Sequence, residues 1–214
     1  MKNLILISLL VFILNSCTLF LFNFHNNLHK ETLPVKNINS YFSNSDSSYL
    51  YQAEIWFMKN YYSGLMVIKP QNDSLTRVVF ITETGIKIFD FEIRNPLLFK
   101  KFYKINYIIE PMSRRIICNT LANDIGLLCQ NGNVKFIDAF NDDDKTIFRI
   151  HNRCKRYLYV YNQNDYGYNI IHVNSIFSRK AEVIFYGINN FAPDSIKIQH
   201  FGKNLNYIFR RIKQ

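Results

Sequence analysis

The sequence predicts an α+β fold: a strongly curved antiparallel sheet of about ten to eleven strands, with one main helix packed on its concave face. Three observations lead there. Aromatic residues make up 16% of the chain, led by Phe 19 and Tyr 14, and aromatic enrichment favours strands. Short links join successive strand-like segments, which makes them hairpins and the sheet antiparallel. Several segments are apolar at both parities, for example Val78, Val79, Phe80 and Ile81, or Ile86, Ile88, Phe89, Phe91 and Ile93. A solvated face would be polar, so both faces must be covered or border a cavity. A bent sheet wrapped around a helix meets that demand.

The elements follow in order. Tyr51, Ala53, Ile55 and Phe57 alternate with Gln52, Glu54, Trp56 and Met58, the period of a strand. Lys59-Asn60 is turn material, and 61–69 is a second strand. Pro70 to Ser74 is a loop. Strands are predicted over 77–84, 86–93 and 103–109, with Gly85 and Asn95-Pro96 as punctuation. Ile116, Ile117, Leu121, Ile125 and Leu128 then recur at helical spacing behind Pro111 and Ser113, which predicts a helix over 112–129, ended by Asn131-Gly132. Six more strands are predicted, over 145–151, 157–161, 169–173, 182–188, 195–201 and 206–212, separated by Asn-, Asp- and Gly-rich turns. No repeat or linker divides the domain.

The N-terminus carries an address. Lys2 precedes an apolar run, Leu4 to Leu14, too short to span ~30 Å of hydrocarbon. Leu14-Asn15-Ser16-Cys17 follows, with a small residue before the cysteine. This looks like a bacterial lipobox: residues 1–16 form a signal peptide and Cys17 takes the lipid (a diacylglyceryl group, then acylation such as palmitate). Asn15 departs from the commonest pattern. The apolar run also continues through Leu19 to Phe24, so an uncleaved anchor over 4–24 and ordinary secretion stand as alternatives. Lipidation at Cys17 would hold the chain on a membrane, since each buried CH₂ contributes ~0.8 kcal/mol. Residues 17–48, polar from Thr32 to Ser48, read as a tether. Residues 49–214 form one domain.

The formal net charge of +10 suits an anionic partner or serves solubility alone. The cations are dispersed, and the densest groups are Arg153, Lys155, Arg156 and Arg210, Arg211, Lys213. Few glycines argue against nucleotide-binding loops. Without Cys17, Cys118, Cys129 and Cys154 leave an odd count and no zinc spacing, so Cys118 and Cys129 read as small buried residues. No catalytic constellation is present: no metal-binding histidine pair, nucleophile elbow or phosphate loop. Asp142-Asp143-Asp144 reads as a charged turn in preference to a calcium loop. Glu83, Asp90 and Glu92 read as ion-pair partners of Arg77 and Lys87 in preference to a glycosidase pair. The basic and aromatic run Arg153 to Tyr159 reads as a strand with exposed cations, not a nucleic-acid site. The expectation is a non-enzyme with no catalytic residue, metal or cofactor.

Ser63-Gly64-Leu65-Met66-Val67-Ile68-Lys69 and Arg77 to Phe91 resemble a group of small lipoproteins of Gram-negative bacteria. The order of elements resembles the LolA/LolB type, carriers and receptors of outer-membrane lipoprotein delivery. That resemblance implies a half-barrel closed by helices, an interior that holds lipid or lipoprotein acyl chains, and an outer-membrane location. An acyl chain needs a dry lining, and the candidate lining residues are Trp56, Met66, Ile68, Val78, Phe80, Phe89 and Phe91. Plain core packing is the simpler reading for any one of them. The alternative function is a structural or assembly lipoprotein that offers a sheet edge to an envelope protein.

Overall fold

The computed structural model describes residues 29–31, 41–42, 44–95, 102–130, 138–142, 145–152, 155–162, 168–175, 178–188 and 192–212. The segments expected to be a signal peptide and a lipobox, with Cys17, lie outside the described residues, as does Cys154. So do Asn131-Gly132, Asp143-Asp144 and Arg153.

Thirteen strands form one antiparallel sheet. They are β1 (His29–Glu31), β2 (Tyr49–Phe57), β3 (Asn60–Asn72), β4 (Leu75–Thr82), β5 (Lys87–Ile93), β6 (Tyr103–Ile108), β7 (Asp138–Asp142), β8 (Lys145–Asn152), β9 (Lys155–Asn162), β10 (Tyr168–Asn174), β11 (Arg179–Ile188), β12 (Pro193–His200) and β13 (Leu205–Arg211). Between β6 and β7 lie a 3-10 turn, Glu110–Met112, and one α-helix, α1 (Arg115–Leu128). The order across the sheet is β1-β7-β8-β9-β10-β11-β12-β13-β2-β3-β4-β5-β6. The sheet is open, with β1 and β6 at its two edges.

Helix contacts require the sheet to bend. Asn119 accepts a hydrogen bond from Tyr103 of β6, and Gln130, two residues past the helix, accepts one from Tyr159 of β9 at 2.5 Å. β9 and β6 stand nine steps apart in the sheet, ~43 Å if it were flat. From Asn119 to Gln130 the helical rise covers only ~17 Å. One short helix therefore reaches both halves only because the strands curl around it.

The inner face follows from strand parity. Tyr49, Tyr51, Ala53, Ile55 and Phe57 of β2 are buried, as are Met66 and Ile68 of β3 and Val78 and Phe80 of β4. The same core takes Tyr157, Tyr159 and Tyr161 of β9, Val183 and Phe185 of β11, Ile196 and Ile198 of β12, and Tyr207 and Phe209 of β13. Leu121, Ala122, Ile125 and Leu128 of α1 complete it. A bulge between β4 and β5 turns both Ile88 and Phe89 inward. Gly64 lets β3 and β4 approach closely, since a Cβ there would fall 2.1 Å from the Ile81 carbonyl oxygen.

Apolar character at both parities has a plainer origin than expected. The second face is solvent-facing among the described residues: Leu65, Val67, Val79 and Ile81 are half-buried there beside Gln52, Lys69 and Arg77. Only the concave face is covered.

Two further expectations are corrected. The strand count exceeds ten to eleven, because β1 and β7 were not foreseen. β7 runs into the acidic stretch read as a turn, and Phe140 is its only large apolar residue. The boundary at residue 49 is also too late. Tyr41 and Phe42 are buried, Tyr41 donates to the Tyr168 carbonyl, and the Phe42 ring meets Tyr49 at 5.1 Å. His29–Glu31 pairs with β7. These described parts of the expected tether are thus held to the domain, because two adjacent aromatics carry more apolar area than the neighbouring Ser and Asn residues can keep in water.

The helix forms with little local help. Neither end has a side-chain cap, its first turn carries Arg115 and no acid, and Gly126 lies inside it. Fourteen such residues would be marginal alone, so burial of one face supplies its stability.

On the convex face Asp90 is buried between strands. Arg77 binds it through Nε at 3.0 Å and Nη2 at 2.7 Å, with Lys87 Nζ at 3.6 Å and Asn106 Nδ2 at 3.4 Å. Glu92 pairs with Lys104 at 3.4 Å. The expected pairing with Arg77 and Lys87 holds for Asp90, whereas Glu92 takes Lys104 and Glu83 accepts from Ser63 Oγ. The Arg77 hydrogen bond lowers the Asp90 pKa from 3.8, against the opposing effect of burial.

Phe42→Ala should cost about 3–5 kcal/mol, the usual loss for a buried aromatic, and denaturant unfolding should show a lower midpoint with an unchanged slope. Asp90 has a depressed folded-state pKa, so its contribution is present above the ordinary carboxylate range and lost as pH falls through the folded value. The stability gap between the native chain and Asp90→Asn should be full at about pH 7 and shrink toward about pH 3, as urea titrations at both values would show.

Candidate functional site: the concave face and its helix

The candidate site is the interior between α1 and the sheet. Of the proposed lining residues, Met66, Ile68, Val78, Phe80, Phe89 and Phe91 come together on the concave face. Phe89 stacks on Phe91 at 5.0 Å and tilts against Phe80 at 5.6 Å. Trp56 does not join them. It lies on the convex face, half-buried against Tyr61 at 5.3 Å, where its parity with Gln52 and Glu54 puts it.

All six inward residues are 0% exposed. A water-sized sphere touches none of them, so no open space borders them with α1 in this position. A void among the described residues lies instead at the sheet edge. A cleft of about 560 Å³ is lined by Leu75, Glu92, Arg94, Phe102, Tyr103, Lys104 and Ile105. It shares no residue with the proposed lining.

Polar side chains fasten the helix over this apolar face. The Asp124 carboxylate, buried, accepts from His200 Nε2 at 2.7 Å and from the Tyr207 hydroxyl at 3.0 Å through one oxygen. Lys203 Nζ donates to Thr120 Oγ1 at 2.9 Å. With the Asn119 and Gln130 contacts, four points tie α1 and its C-terminal extension to β6, β9 and the β12–β13 hairpin. Burial, with Asp124 adding to it, raises the Tyr207 pKa well above 10.0, so the phenol stays a neutral donor. Gln130 Nε2 and the Tyr168 hydroxyl are buried and find no hydrogen-bond partner among the described residues.

Asp124, His200 and Tyr207 carry no sequence signal. Asp124 stands 76 residues from His200 and 83 from Tyr207, and only the fold joins them. Asp124 does break the apolar spacing of α1, and that break was the available hint. The arrangement acts as a latch, because one carboxylate oxygen takes donors from both β12 and β13. No group of three metal-ligating side chains occurs among the described residues. Cys118 and Cys129 are free and buried, and burial pushes the Cys129 thiol far above its ordinary range. Both fit the reading of small core residues.

No protein-family profile matches the sequence, and no curated protein matches it. Solved structures do. A domain assigned to outer membrane lipoprotein sorting, from Vibrio parahaemolyticus, superposes with a TM-score of 0.50 at 5% identity, over 78% of this chain and 84% of that one. A LolA superfamily protein from Nitrosomonas europaea gives 0.49 at 9% identity, over 80% and 87%. A DUF1329 family protein from Desulfovibrio piger gives 0.48 at 8% identity, over 78% and 84%. The Vibrio domain shares the fold, in agreement with the architecture that the resemblance implied.

Asp124→Ala should destabilise the domain by about 2–4 kcal/mol, because it strands two buried donors. Tyr207→Phe leaves the histidine bond intact and should cost about 1 kcal/mol. Thermal unfolding of the two variants checks the ratio. Equal costs would show that the carboxylate does not organise the latch.

Proposed function

We propose that the protein is an envelope carrier that holds an acyl chain of a lipid or lipoprotein between the concave face and α1. One observation carries this reading. Among the described residues, a continuous aromatic and aliphatic surface is covered by one marginal helix held through side-chain hydrogen bonds. The shared fold with a lipoprotein-sorting domain supports it. A cover of this kind can be exchanged. Its buried face leaves the apolar surface as an acyl chain enters, and each CH₂ removed from water contributes ~0.8 kcal/mol. Anchoring through Cys17 and an outer-membrane address belong to the same proposal and are supported by the lipobox. No step of the proposal needs catalysis.

A second reading rests on the β6 edge. Ile105 and Tyr107 are exposed there beside the edge cleft, and an open edge with apolar residues accepts a strand from a partner.

The first reading is tested with a removable staple. Thr120→Cys with Lys203→Cys places two solvent-reachable thiols across the contact between α1 and the β12–β13 hairpin, and a short bis-methanethiosulfonate joins them as a staple through two reducible disulfides. Protein made without its leader, incubated with palmitate, should carry the fatty acid in native mass spectrometry. The closed staple should abolish the adduct, and a reductant should restore it. Equal loading of the stapled protein, or no adduct at all, contradicts a covered acyl site. A lipid-free protein that photo-crosslinks through Ile105 to one envelope protein supports the edge reading instead.

A further inference from the structure

Alternating connections put the β2–β3, β4–β5, β8–β9, β10–β11 and β12–β13 hairpins at one end of the sheet, together with the start of α1. This end collects exposed apolar side chains. Met58, Tyr61, Ile86, Ile116 and Phe201 are five of the nine large exposed apolar residues among those described. Met58, Ile86 and Phe201 sit in the hairpin turns, and Ile116 is 75% exposed on the first turn of α1.

Cations stand among them. The Arg179 guanidinium lies over the Phe201 ring at 5.9 Å. The Phe201 amide donates to the Lys180 carbonyl, and the Met58 amide to the Asn204 carbonyl beside Lys203. Lys155 is near enough to feel Asp124 and Lys203. The acids at this end are engaged or few. Asp124 is held by His200 and Tyr207, Glu182 by His172 and Arg179, and Glu83 by Ser63, while Glu110 is exposed.

Three residues at this end sit where local preference opposes them. Met58 has φ 55° in the two-residue β2–β3 turn, a left-handed position that Asn or Gly fills more easily. Arg114 and Arg115 open α1, where the positive end of the helix disfavours cations. Local choices that cost the fold point to a surface selected for something else.

We propose that this hairpin end docks on an anionic lipid bilayer, with Met58, Ile116 and Phe201 entering the interface and Lys155, Lys180 and Lys203 meeting lipid phosphates. Protruding apolar tips ringed by lysine and arginine match such a surface in both chemistries. Nucleic acid would engage the cations and leave the aliphatic tips without a partner. The docking uses the rim and not the interior, so it is independent of any acyl cargo.

Trp56, the one tryptophan, lies next to the β2–β3 turn and reports on this end alone. The full chain is mixed with vesicles of brominated phosphatidylglycerol or brominated phosphatidylcholine, whose bromines quench an inserted indole. The apolar N-terminus holds the chain on both, so quenching and not sedimentation is the readout. The expected result is quenching on phosphatidylglycerol that falls about fivefold per charge removed in Lys180→Glu and Lys203→Glu. Met58→Asn should reduce quenching while leaving thermal stability equal or higher, which separates lost docking from lost folding. Unquenched Trp56 on vesicles that carry the chain overturns the proposal. So does equal quenching on phosphatidylcholine that ignores both charge reversals. Tight binding of a single-stranded DNA oligomer with no lipid quenching would assign the rim to nucleic acid and overturn it as well.

Discussion

Burial of one sheet face by one helix is the constraint on which the architecture depends. Thirteen strands offer far more inner surface than fourteen helical residues could cover if the sheet were flat. Curvature solves this, because the strands then bury their inner side chains against each other as well as against α1. Tyr41, Tyr159, Tyr168 and Phe185 show the result, a run of edge-on and tilted ring contacts at 4.9–5.3 Å. The same contacts explain why the chain before residue 49 is drawn in at Tyr41-Phe42.

Such a core is apolar, but its cover is registered by polar groups. Apolar packing alone would let α1 slide, since neighbouring positions along a greasy groove differ little in energy. The Asp124 carboxylate between His200 and Tyr207 fixes the helix over β12 and β13, and Tyr159 fixes its C-terminal extension over β9. Buried polar contacts of this kind add specificity more than net stability.

Much of the fold was legible because strand parity and helical spacing are short-range signals. Tyr51, Ala53, Ile55 and Phe57 declared the inner face of β2, and Leu121, Ile125 and Leu128 that of α1. β7 was not legible, since its strand is polar outside Ala139 and Phe140 and gains stability from pairing with β8 on one side and β1 on the other. Six inward residues followed from apolar pattern, whereas Trp56 was grouped with them despite a parity that already placed it outside. The latch was not legible at all. It joins α1 to strands more than seventy residues away, and no local pattern records which carboxylate will meet which histidine.

The central claim is that α1 is a displaceable cover and not a fixed part of the core. Amide hydrogen exchange with and without a saturating single-chain lipid tests it most directly. The account predicts faster exchange across Arg115–Leu128 on lipid addition, with β9, β12 and β13 staying protected. Unchanged protection of the helix while lipid is bound would contradict it.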